Sequence, residues 1–298
     1  MDASDGKTIT LAVADTSVET YFYELGPTDG QPVVFMQTGG AGTSAYMCWY
    51  RNLEQIADAG FHIFAPDAPG FGRSRILGKE PVDAVEFLHS FLDAMSIRRA
   101  HLVGNSMGAM TSARFAVAYP ERTASIVLSG GEPRAQTDEA RAIAPTLGAT
   151  PRMNFVRQML GKPQLDPDDM RKATADFFFD RESKEVDEVS HLRMESLQDA
   201  DLLQRTTDEA LAQVRGGRTN FDSSMLQQIQ APTFLLQGRD EKWFYTEDTA
   251  PALIRAAVEL TWVIPDCRCT LLPNCAHWPQ LEQPDTYNAL VANFLTEH

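Results

Sequence analysis

Gly104-Asn105-Ser106-Met107-Gly108 is a G-x-S-x-G pentapeptide set directly after the apolar run Ala100-His101-Leu102-Val103. A strand that stops there and hands over to a helix must turn sharply, and small residues on either side let a serine occupy the strained apex. The segment Ala109 to Tyr119 has helical periodicity and ends at Pro120, so the strand-turn-helix context is present on both sides. Ser106 is therefore expected to be presented as a nucleophile.

The rest of the chain alternates in the same way, which predicts a mainly parallel α/β sheet covered on both faces. Thr8 to Val13 and Val18 to Leu25 read as an antiparallel pair, followed by strands over Pro32–Gln37, Phe61–Asp67, the elbow run, Ala124–Gly130, Pro232–Gly238 and Arg268–Leu272. Helices are expected over Pro81–Met95 and Tyr287–Thr296. Between Glu132 and Asp222 the chain is rich in charge and helix formers, with apolar clusters at Met153-Asn154-Phe155-Val156 and Phe177-Phe178-Phe179 and a turn at Arg215-Gly216-Gly217-Arg218. This predicts a core over 1–132 and 223–298, interrupted by a helical cap over 133–222.

Composition narrows the function classes. A formal charge of −15 argues against nucleic acid and anionic membrane surfaces, since phosphate neutralisation needs clustered Lys and Arg. No run of about 18 apolar residues suggests a membrane span, and the acidic start Met1-Asp2-Ala3-Ser4-Asp5 does not read as a secretory signal. Four cysteines in 298 residues make no disulfide framework, which suits a reduced cytoplasm. Cys267, Cys269, Cys275 and His277 match no familiar zinc spacing, so neither metal nor cofactor is expected. A small molecule is the expected partner.

A serine on such an elbow needs a base and an acid, which follow it in the chain order acid, then histidine. Of His62, His89, His101, His191, His277 and His298, only His277 follows the last strand in a loop that can drop onto the serine. The acid is expected three residues beyond Gly238, at Glu241, with the neighbouring Asp240 as the alternative and Glu132 as a remote third. The oxyanion donors are expected from the amides of Gly39, in the glycine-rich loop Gly39-Gly40-Ala41-Gly42, and of Met107. Tyr46, Met47 and Trp49 follow that loop and serve either helix packing or substrate contact.

These residues resemble the meta-cleavage product hydrolases of aromatic catabolism, which have the α/β-hydrolase fold. The resemblance runs through Gly39-Gly40-Ala41-Gly42, Tyr50-Arg51-Asn52, Asp67-Ala68-Pro69-Gly70-Phe71-Gly72-Arg73-Ser74, His101 to Gly108, Gly238-Arg239-Asp240 and Cys275-Ala276-His277-Trp278. It implies an eight-stranded, mostly parallel sheet, a homodimer, and hydrolysis of a carbon-carbon bond in a vinylogous 1,5-diketone acid. It further implies substrate contacts at Gly40, Asn105, Arg193 and Trp278. The sequence departs from the family where His-Gly becomes Gln37-Thr38, where a polar Asn becomes Cys48, and where the acid is Glu241 instead of Asp. Gln37 and Cys48 are expected at the substrate pocket. The departures leave two further readings: an ester or lactone hydrolase working by an acyl-enzyme, and a ligand receptor or non-hydrolytic lyase on the same fold.

Overall fold

Short β-branched and aromatic runs separated by helices bury both of their faces only in a sheet held between helical layers. The computed structural model, which describes residues 1–130, 166–197, 223–241 and 250–298, has that arrangement. β1 (Lys7–Val13) and β2 (Thr16–Leu25) pair antiparallel, and β2 pairs antiparallel with β4 (His62–Pro66). From β4 the sheet runs parallel through β3 (Pro32–Met36), β6 (Ala100–Asn105), β7 (Thr123–Ser129), β8 (Thr233–Gly238) and β9 (Cys267–Leu272). These eight strands are the expected ones. A ninth, β5 (Arg75–Ile76), pairs with β2 off the main path, and at two residues it is too short to leave a periodicity in the sequence.

Alternation along each strand divides the core between the two faces. Val33, Phe35 and Val103 point to the side holding Trp49, Trp278, Tyr287 and Phe294. Val34, Met36 and Leu102 point to the side holding Phe91, Phe115 and Leu128. α1 (Ala45–Trp49) and α2 (Leu53–Asp58) follow β3. Met47 and Trp49 of α1 are fully buried in this core. α3 (Ala84–Ala94) starts at Asp83, whose side chain accepts from the amides of Val85 and Glu86, and α4 (Met107–Ala118) follows the elbow.

Between β7 and β8 the described residues contain α5 (Pro167–Ala175) and α6 (Lys184–Ser196). Arg171 of α5 reaches Asp187 of α6 at 2.7 Å, and Arg51 of the core reaches Glu185 and Glu188 of α6 at 3.2 and 2.9 Å. The expected cap limits, the cluster Met153-Asn154-Phe155-Val156 and the turn Arg215-Gly216-Gly217-Arg218 lie outside the described residues. α7 (Ala250–Val263) joins β8 to β9 where the sequence reading has no helix, and α8 (Pro279–Glu282) and α9 (Pro284–Thr296) close the described chain. Among the described residues no helix is long and apolar enough to cross a membrane.

Asp67, at the end of β4, holds two turns of this frame together. Its carboxylate accepts from the amide of Ala45 at the start of α1 (2.7 Å) and from the amide of Arg73 (2.8 Å). Burial pushes its carboxyl up to about 6. Asp67→Ala strands two amide donors away from water and is expected to lower unfolding free energy by ~2–5 kcal/mol. Urea denaturation at neutral pH reads this, and an unchanged midpoint and slope would contradict the strut role.

Candidate active site

Ser106 sits at φ 55° and ψ −111°, a backbone conformation that L-residues with a side chain rarely adopt. The turn closes because its flanks lack side chains. A Cβ on Gly104 would lie 2.4 Å from the carbonyl oxygen of Gly108, and one on Gly108 would lie 2.0 Å from that of Met36. The Ser106 amide donates to Ser129 O at 2.8 Å, anchoring the apex to β7. Met107 opens α4, so its N–H has no acceptor within the helix. Gly39 packs directly on it, with a Cβ there falling 3.2 Å from Met107 Cβ. The two expected oxyanion donors are thus neighbours beside the serine. Gly40 turns next to them at φ 125°, and its carbonyl accepts from the amide and hydroxyl of Thr43.

Glu241 and His277 meet in the interior. Glu241 Oε1 lies 2.6 Å from His277 Nδ1, and both residues are within 1% of complete burial. A carboxylate at Nδ1 makes Nε2 the proton-exchanging nitrogen. Asp240, the alternative acid, turns outward, accepts from the Asn274 amide at 2.8 Å and pairs with Arg239. It holds the loop that carries the histidine. Glu132 lies outside the described residues. Of the other histidines, His101 is engaged by Ser125 and Gln31, and His62 by Glu24.

Close backbone approaches bring the His277 loop to the elbow. Asn105 Nδ2 donates to His277 O at 3.1 Å and to Ser129 O at 3.2 Å, so its amide nitrogen ties the His277 loop to β7. A Cβ on Gly238 would lie 2.0 Å from Ala276 O, and one on Gly130 would lie 2.3 Å from His277 O. Two residues that the sequence reading passes over complete the support. Gln237 Nε2 donates to Glu241 Oε2 at 2.6 Å. Glu282 accepts from the amides of Ala276 and Phe179, each at 2.7 Å, while His277 N donates to Phe177 O at 3.0 Å. A polar residue in the otherwise apolar run Thr233-Phe234-Leu235-Leu236 was the available signal for Gln237. Glu282 left none, since its partners come together only in the fold.

Aromatic rings join this site to the inserted helices. Phe177 stacks on Trp278 at 4.1 Å and lies 5.3 Å from the His277 ring, and Phe178 meets Trp278 edge-on. The Arg193 guanidinium sits 5.6 Å from the Phe177 ring and 6.0 Å from that of Trp278. Its Nε donates to Ala41 O at 3.0 Å and its Nη1 to Thr174 Oγ1 at 2.9 Å. Gly42, at φ 72°, has no room for a Cβ against the Arg193 backbone. Burial pulls Arg193 down to about 9, which leaves it a cation at neutral pH. Trp278 is wholly buried, a packing partner for this cation and the two phenylalanines.

The departing residues are also inside. Gln37 Oε1 accepts from the Ala68 amide at 3.2 Å, and the Cys48 thiol accepts from Gln280 Nε2 at 3.5 Å. Cys267 and Cys269 pack on one sheet face and Cys275 on the other, which separates the three thiols. Among the described residues no group of three or more His, Cys, Asp or Glu could hold a metal ion.

Comparison with known proteins agrees with this fold. The model of the alpha/beta hydrolase fold family matches residues 32–284. The chain is 27% identical over 296 residues to a 2-hydroxy-6-oxononadienedioate/2-hydroxy-6-oxononatrienedioate hydrolase of a Pseudomonas species, covering 99% of this chain and 98% of the relative. It is 28% identical over 281 residues to the 2-hydroxy-6-oxo-6-phenylhexa-2,4-dienoate hydrolase of Comamonas testosteroni, covering 93% and 91%. Among solved structures, a meta-cleavage product hydrolase from Pseudomonas fluorescens IP01, complexed with acetates, superposes with a TM-score of 0.79 at 24% identity over 99% of both chains.

Burial raises Glu282 from 4.5 to about 7, so between those values the folded protein holds a proton that the unfolded chain has released. The neutral carboxyl therefore contributes stability that is lost as pH rises through about 7. Wild type is expected to lose up to ~3 kcal/mol relative to Glu282→Gln across that window. Urea denaturation of both proteins in a pH series measures the difference, and parallel curves would contradict it.

Proposed function

This chain belongs to the α/β-hydrolase fold family, and we propose that it hydrolyses a carbon-carbon bond in a small ring-cleavage product, a vinylogous 1,5-diketone acid. The observation that carries the reading is Arg193, a buried cation on the same aromatic wall, Phe177 and Trp278, that flanks His277. A buried positive charge on the aromatic wall that flanks His277 suits a substrate with a carboxylate or dienolate, and adds little for a neutral ester. The names of the two relatives, both hydrolases of unsaturated 2-hydroxy-6-oxo acids, support the same class.

In this reading Arg193 holds the acidic end of the substrate while the dienol is converted to its keto form. His277, oriented by Glu241, takes the proton of the nucleophile, either Ser106 Oγ or a water activated by the same groups, as it attacks the distal carbonyl. The amides of Gly39 and Met107 receive the charge that develops on its oxygen. The carbon-carbon bond then breaks, its electron pair leaves as a dienolate that takes up a proton to give the dienol acid, and the hydroxyl of water ends on the new carboxylic acid. α5 and α6 would lie in a cap over this site, and four free cysteines suit a protein of the reduced cytoplasm. Gln37, which occupies the start of the oxyanion loop with its own hydrogen bond to Ala68, favours ester or lactone hydrolysis as the second reading.

Two chromogenic probes separate the readings: 2-hydroxy-6-oxo-6-phenylhexa-2,4-dienoate and a short p-nitrophenyl ester. The account expects kcat/KM on the dienoate to exceed that on the ester by about 100-fold or more. Ser106→Ala is expected to lower dienoate turnover by roughly 1000-fold or more. Arg193→Met is expected to raise the dienoate KM by roughly 10- to 100-fold and leave the ester KM unchanged. A faster ester reaction, or equal loss on both probes in Arg193→Met, would overturn the proposal.

A further inference from the structure

The acid of this site is one methylene longer than the aspartate of the family it resembles, and therefore has one more rotatable bond to fix. An acid that orients an imidazole through one oxygen is held in place only if its other oxygen is also engaged. Gln237 supplies that contact, with Nε2 2.6 Å from Glu241 Oε2. Its other end, Oε1, accepts from the Gly130 amide at 3.1 Å. The amide can point only one way, because a flip would set its oxygen against the carboxylate and its NH2 against the Gly130 N–H.

Gly130 follows Ser129, which anchors both Ser106 N and Asn105 Nδ2, and Asn105 Nδ2 in turn holds His277 O. The contacts close a ring from Glu241 to His277, Asn105, β7, Gln237 and back to Glu241. Gln237 is 2% exposed in a strand whose neighbours are apolar, a place where a primary amide is costly unless both ends are bonded. Both ends are bonded here, one of them to the triad.

We propose that Gln237 is a positioning residue of the triad, which fixes the rotamer of Glu241 and through it the ring of His277. The inference rests on the triad reading above, and it is independent of whether the substrate is a diketone acid or an ester.

A fluorophosphonate tests it without reference to substrate: Ser106 Oγ displaces fluoride from phosphorus, and the serine proton passes to His277. Second-order labelling rates are compared for wild type, Gln237→Met, Glu241→Asp, the double variant and His277→Gln. Gln237→Met is expected to label about 10- to 100-fold more slowly, as outer partners of working groups do when removed. The double variant is expected within about threefold of the slower single variant, since the two changes break one contact. On the dienoate, or on the ester if that is the better substrate, kcat should fall while KM stays within about twofold. Fully additive losses, or a raised KM with unchanged labelling, would assign Gln237 to packing alone and overturn the proposal. Gln237→Leu replaces Gln237→Met if the latter does not fold. Slow labelling in His277→Gln with wild-type labelling in Gln237→Met sinks the role of Gln237 alone, whereas wild-type labelling in His277→Gln sinks the triad reading itself.

Discussion

The 2.6 Å contact between Glu241 and His277 is the constraint around which the site is arranged. A carboxylate and an imidazole removed from water are stable only when their remaining hydrogen-bonding capacity is met and the geometry does not drift. The surrounding chain engages the second carboxylate oxygen and fixes the histidine's backbone. Gln237 takes the second carboxylate oxygen, Asn105 takes the His277 carbonyl, and Phe177 takes the His277 amide. Gly130 and Gly238 allow backbones to approach where any side chain would collide. The serine itself is held in a strained turn whose cost is met by the packed α4 against β6 and β7.

The same arrangement ties the inserted helices to the chemistry. Glu282 bridges the His277 loop and Phe179, and Arg193 bonds to the glycine-rich loop that presents Gly39. Displacement of α6 would therefore disturb the cation and the glycine-rich loop together. Displacement of the 177–179 segment would reach His277 through its own backbone amide. An active centre coupled to its covering helices in this way can respond to how a substrate seats against them, which is one route to discrimination among similar acids.

Much of this was legible in the sequence because it depends on short-range patterns. The pentapeptide around Ser106, the strand periodicities and the position of His277 after the last strand each state a local requirement. The spacing from Gly238 also pointed to Glu241 over Asp240, and the structure joins Glu241 to His277. What remained hidden depends on long-range approach. Gln237 and Glu282 acquire their partners only when β7, β8 and the His277 loop converge. β5 is too short to show a period, and α1 carries no extended one. Asn105 was legible as a special residue, but its bond to a carbonyl 172 positions away could not be read from spacing. For Arg193 the family resemblance marked the residue, and only the fold shows that it is buried against Phe177 and Trp278 instead of solvated.

The proposed reaction adds water across a carbon-carbon bond. Turnover of 2-hydroxy-6-oxo-6-phenylhexa-2,4-dienoate in oxygen-18 water, with mass spectrometry of the products, tests it most directly. Two separate acids are expected, with the label in the new carboxyl group of benzoate. An intact carbon skeleton after prolonged incubation, or cleaved products without label in the new carboxyl group, would contradict it.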